Sequence, residues 1–88
     1  MKKEMIEIEI NRIVALIKNF GWELVEKKIS GLLVQITFEK DVQQMEENVR
    51  EVFWIRIREV MKMFQWKIAE EVTEDGLLSL RAEKEADE

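Results

Sequence analysis

Phe20-Gly21-Trp22-Glu23-Leu24-Val25-Glu26 and Phe64-Gln65-Trp66-Lys67-Ile68-Ala69-Glu70 are one passage written twice, 44 positions apart in a chain of 88 residues. In each, an aromatic residue ends a helical apolar pattern and a tryptophan opens an alternating one. Each passage therefore reads as a corner between a helix and a strand, with the two rings clamped across it. Carried outward without a gap, the same offset matches Met1 with Met45, Glu7 with Glu51, Arg12 with Arg56, and Ile13 with Ile57. It also matches Lys18 with Lys62, Leu33 with Leu77, Glu39 with Glu83, and Lys40 with Lys84. Eleven identities in 44 pairs are several times what chance gives at this composition. Two copies of this length do not make a solenoid. They predict one domain, 1–88, of two pseudo-symmetric repeats, 1–44 and 45–88.

Within the second repeat Val42, Met45, Val49, Phe53, Ile57, Val60 and Phe64 recur at the spacing of one helical face. Asp41, followed three residues later by Gln44, suggests an N-cap, so the helix is expected from about 42 to 64. Ile6, Ile10, Ile13, Ile17 and Phe20 give the first helix, although Ile6, Ile8 and Ile10 alternating with Glu7 and Glu9 would also suit a strand. After each corner comes a hairpin. In the second, a three-residue turn of Glu74, Asp75 and Gly76 gathers Trp66, Ile68, Val72, Leu78, Leu80 and Ala82 on one face, whereas a two-residue turn scatters them. The equivalent face of the first copy is Trp22, Leu24, Val34, Ile36 and Phe38. A two-residue turn there would also collect Val25, Ile29 and Leu32, so both registers stay open. The expected fold is α+β in two layers: a tandem helix-strand-strand duplication with two helices on one face of a four-stranded antiparallel sheet.

The absences bound the chemistry. With no His and no Cys, His- or Cys-dependent nucleophile systems, thiol redox chemistry and the usual zinc ligand sets are excluded. Glycines occur singly, without a phosphate cradle, and the acidic tip Glu70, Glu71, Glu74 and Asp75 lacks calcium-loop spacing. No catalytic residue, cofactor, metal or small-molecule substrate is indicated. No apolar run suits a membrane span, and the alternating start is not a signal peptide, so the expectation is a soluble, unprocessed cytoplasmic protein. The abundance of Glu, Lys, Ile and Val has a thermophile-like cast. The net charge is −5. The first repeat is balanced and the second carries the deficit, part of it in an ending, 83–88, that reads as a frayed solvating tail.

One charge intrudes on each apolar hairpin face, Glu26 and Glu70, and one on the helical arcs, Arg12 and Arg56. Helical and strand rises bring them level across the corner, so two equivalent ion pairs are expected, Arg12 with Glu26 and Arg56 with Glu70, with a structural role. The apolar arc of the second helix is wider than one sheet needs: Val52 and Met63 extend it on one side and Met61 and Trp54 on the other, Ile55 falls on the otherwise polar side, and Arg58 is counted with them as a contact residue. Either the first helix covers the surplus or a partner does, and a second copy is the economical partner. The expected function is thus a non-enzymatic protein-interaction module, homodimeric through that surplus side. An acidic decoy for a basic site on another protein is a variant. In outline alone, without a motif, the chain is similar to secretion-chaperone-like and small regulatory binding domains. The alternative is a nucleic-acid module using the basic and aromatic stretch 50–67, including Arg50, Arg58, Lys62 and Trp54; the overall negative charge opposes it.

Overall fold

The computed structural model describes Met1 to Asp87. Both copies fold as helix, strand, strand: α1 Lys3–Lys18, β1 Glu23–Ser30, β2 Leu33–Asp41, then α2 Glu47–Met63, β3 Lys67–Glu74, β4 Leu77–Glu85. The four strands form one antiparallel sheet in the order β1-β2-β4-β3, with both helices on one face. Thus the opening of the chain, ambiguous in sequence, is helical. Its apolar period continues through Ile6, Ile10, Ile13 and Ile17, all buried.

The duplication is visible in the register. Thr37 pairs with Arg81 at the centre of the β2–β4 ladder, and these are equivalent positions of the two repeats. A pseudo-twofold axis therefore passes between them, normal to the sheet, and makes α1 and α2 antiparallel. Backbone bonds obey it: Val42 N–H donates to Gly76 O (2.8 Å) and Ala86 N–H to Leu32 O (2.7 Å). Val34, Ile36, Phe38, Leu78, Leu80 and Ala82 alternate onto the helix-facing side and, with the isoleucines of α1 and Trp22, Trp54 and Trp66, form one buried core. Burial of each large side chain contributes on the order of 1.5–3 kcal/mol.

The two corners are Schellman turns. Trp22 N–H donates to Ile17 O and Gly21 N–H to Lys18 O; Trp66 N–H to Met61 O and Gln65 N–H to Lys62 O follow the same pattern. The residue between the aromatics must adopt a left-handed conformation. Gly21 (φ 81°) does so freely, but Gln65 (φ 62°) carries a Cβ there. Gln65→Gly is therefore expected to raise stability by about 0.5–1 kcal/mol, seen as a higher urea midpoint at unchanged slope. An unchanged midpoint would mean that the glutamine side chain offsets its own backbone strain.

Four expectations need correction. First, α2 begins at Glu47, not near 42. Asp41 still ends β2, and its carboxylate accepts from Gln43 N–H (3.0 Å) two residues on, which makes a local turn instead of a helix cap. Second, the turn of the second hairpin has two residues, Asp75 (φ 51°) and Gly76 (φ 74°), between paired Glu74 and Leu77. The first hairpin likewise turns at Gly31 (φ 61°) and Leu32, between Ser30 and Leu33. A two-residue turn alone would misplace the core side chains. A β-bulge at Ala69, and its equivalent at Val25, restores them. Trp66 and Ile68 face the helices before the bulge, while Val72, beyond it, faces outward opposite Ser79. Third, the bulge turns Glu26 and Glu70 to the outer face, so neither expected ion pair forms among the described residues. Glu70 lies 3.6 Å from Arg81 instead, and Arg56 stacks 5.5 Å from the Phe20 ring. The helix-to-hairpin pairs exist one residue further along, where the bulge puts Lys27 and Glu71 inward: Lys27 meets Glu7 at 2.8 Å and Glu71 meets Arg58 at 2.7 Å. Fourth, residues 83–87 are not frayed: β4 runs to Glu85 and Ala86 is buried. Glu88 lies outside the described residues.

Candidate functional site

The surplus apolar side of α2 divides once the helix is packed. Trp54 and Met61 point inward: Met61 is wholly buried, and the Trp54 ring lies 5.6 Å from that of Trp22. Neither is free to contact a partner. Val52 and Ile55 remain about half exposed, as do Val49 and Met63. Arg58 is held in the fold: its guanidinium donates to both carboxylate oxygens of Glu71 (2.8 and 2.7 Å) and to Glu51 (3.1 Å), over the Trp54 ring at 5.5 Å. These bonds keep the Arg58 proton tightly held and hold the Glu71 carboxyl below the usual glutamate range. Arg50 is likewise turned inward, its Nε donating to Met45 O at 3.2 Å. The basic and aromatic stretch 50–67 thus offers no exposed Trp54 for stacking on a base.

What sequence reasoning missed is the matching surface of α1. Met5, Ile8, Arg12 and Leu16 form a stripe at successive i+3 and i+4 steps, with Met5 and Ile8 more than half exposed. Val49, Val52 and Arg56 occupy the equivalent positions of α2. The two antiparallel helices together present apolar ridges related by the pseudo-twofold axis, each carrying one arginine. Apolar residues exposed together on one face, instead of singly, are the kind of surface that marks a contact site. The repeat offset held part of the signal: Ile8 and Val52 keep apolar character outside both core arcs, whereas Val49, whose period places it on the core arc of α2, is 42% exposed in the fold, as its equivalent Met5 is at 57%.

Inside the helical layer the symmetry breaks. In the second half Glu9 Oε1 accepts from Trp66 Nε1 (2.7 Å) and from Lys84 Nζ (2.6 Å), and the lysine also donates to Phe64 O (2.6 Å). In the first half Phe53 stands where Glu9 would be. Lys40 Nζ rests 4.1 Å from the Phe53 ring, and Trp22 Nε1 is buried without a hydrogen-bond partner among the described residues. Burial pushes the Lys40 ammonium below the usual lysine range, partly offset by neighbouring Asp41. A Cβ at Gly21 would overlap Lys40 Nζ, so the glycine makes room for it.

The opposite face of the sheet carries no helix. In the first hairpin it presents Glu23, Glu26, Glu39 and Asp41 against Lys28; in the second, Glu70, Glu74, Glu83 and Glu85 against Lys67 and Arg81. That face has a net charge of −5, while the rest of the described chain carries eleven basic and ten acidic groups. Among the described residues no group of three His, Cys, Asp or Glu side chains is placed to hold a metal ion, and no helix is long and apolar enough to cross a membrane. No protein-family model matches the chain, and a search of curated proteins finds none similar to it in sequence.

Proposed function

We propose that the protein is a non-enzymatic protein-interaction module that pairs with a second copy of itself through the outer face of α1 and α2. The observation that carries this reading is the exposure, in both repeats, of apolar residues at equivalent positions, Met5 with Val49 and Ile8 with Val52. A pseudo-symmetric patch is well suited to a twofold contact, because in an isologous interface each surface must complement itself. Charge favours the same arrangement. The residues outside the open sheet face are nearly balanced, so two helical layers can approach without the repulsion that two acidic sheet faces would meet. Standard interfaces bury about 800 Å² per partner, of which the apolar ridges would supply the centre and the two arginines part of the rim.

Light scattering after gel filtration at two concentrations tests this. The parent is expected near twice 10.6 kDa and an Ile8→Glu, Val52→Glu double variant near the monomer mass, with unchanged circular dichroism. Both residues are about half exposed, so the substitutions leave the core intact. A parent that is monomeric at both concentrations, or a variant that still pairs, overturns the proposal.

A further inference from the structure

The open face of the sheet concentrates the whole net charge of the chain, and at one point it does so against the interest of the fold. Glu23 on β1 lies directly opposite Glu39 on β2. Like charges facing one another across strands are destabilising. The equivalent pair of the other repeat, Lys67 opposite Glu83, is complementary, so the scaffold has no requirement for two acids there. Asp41 follows on the same face and pairs across with Leu77, while the Lys40 ammonium, whose charge it favours, lies buried on the inner side. Glu23, Glu39, Asp41, Gly21 and Leu77 line an open cleft of about 350 Å³. Its chemistry, carboxylates around a leucine, suits a long cationic side chain whose methylene stem lies on the apolar surface while its charge meets the acids.

We infer that this sheet face docks a lysine- or arginine-rich segment of another protein, with the cleft between β1, β2 and the start of β4 as its anchor. Charge complementarity selects the occupant. A second copy of this chain would bring a like-charged face, and a nucleic acid would bring phosphates, so both are repelled. A basic polypeptide gains from the entire face, on which eight carboxylates stand against three cations. The surface is separate from the helical ridges, and the inference does not depend on dimerisation.

The test is fluorescence anisotropy with a labelled synthetic peptide alternating lysine and serine, at low salt and at about 150 mM, where exposed charges are screened beyond ~8 Å. Two double variants change the net charge equally: Glu39→Lys with Asp41→Lys on the sheet face, and Glu4→Lys with Glu59→Lys on the helices. The parent is expected to bind, with affinity falling about tenfold or more over that salt range. The sheet-face variant should lose about tenfold or more at low salt, and the helix variant should stay within about twofold, because charge near the contact acts far more strongly than distant charge. If the reversal at Glu39 and Asp41 impairs folding, Glu39→Gln with Asp41→Asn keeps the side-chain shapes and is expected to weaken binding several-fold. Absence of binding by the parent at low salt overturns the inference. So does an equal loss in the two charge-reversal variants, which would mean that overall charge alone attracts the peptide.

Discussion

Glu9→Ala is expected to destabilise the protein by about 3–5 kcal/mol, enough to leave a domain of this size largely unfolded in mild urea. Among the described residues Glu9 is the sole carboxylate partner of Lys84, and it is the acceptor for Trp66 Nε1. The side chains of Lys84 and Glu9 are only 14% and 11% exposed. Removing the acid leaves a cation and an indole N–H in surroundings that water reaches poorly, and it is this uncompensated burial that costs, more than the lost attraction. Such a cluster need not contribute much net stability while it is complete. A triple variant, Glu9→Leu, Lys84→Met and Trp66→Phe, which removes the three polar side chains together and leaves only the Phe64 carbonyl, is therefore expected to recover most of the loss. Urea titrations followed by far-ultraviolet circular dichroism separate the two cases. A cost below about 1 kcal/mol for Glu9→Ala would show that solvent reaches the cluster and that its geometry matters little.

The same cluster marks the limit of what the chain could reveal in advance. Helix and strand periods, with the offset of 44 residues, were enough for the architecture, because apolar residues at those spacings have only one way to share a core. Lys40 and Lys84 continue the inward alternation of Val34, Ile36, Phe38 and of Leu78, Leu80, Ala82, so a lysine pointing into each half was readable. The broken partner, Glu9 in one half and Phe53 in the other, required knowing that each helix reaches the corner of the opposite repeat, which is a tertiary fact. The ion pairs fail for a different reason. An unbroken alternation put Glu26 and Glu70 inward, and one bulge residue, Val25 or Ala69, reversed the remainder of the strand and delivered Lys27 and Glu71 in their place. Asp75-Gly76 is a strong signal for a two-residue turn. The turn and the hydrophobic face do not compete, because a bulge satisfies both demands. In the surplus apolar arc of α2, Trp54 and Met61 fill the interior of the layer, and the exposed remainder continues onto α1.

Trp22 and Trp66 permit a sharper comparison, since equivalent backbone turns hold them while their neighbours differ: the Trp54 ring beside Trp22, the Glu9 carboxylate on Trp66. Truncation of either to alanine is expected to cost about 3–5 kcal/mol, as both are nearly fully buried and each closes a corner of a thin core. Phenylalanine retains a ring and separates the packing contribution from the polar one. At Trp22 it removes an indole N–H that has no acceptor among the described residues, relieving an unsatisfied donor while preserving an aromatic neighbour for Trp54, 5.6 Å away. At Trp66 it removes a 2.7 Å bond to the Glu9 carboxylate. Hydrogen bonds to charged groups contribute about 1.5–3 kcal/mol, so Trp66→Phe should cost more than Trp22→Phe by roughly that amount. Equal losses would imply that Glu9 turns wholly to Lys84 when the indole is gone. A larger loss at Trp22 would imply that its buried N–H has an acceptor, such as an ordered water, within the helical layer. In either case the difference between the halves reports how the Glu9 carboxylate at Trp66 and the Trp54 ring at Trp22 support the same backbone turn.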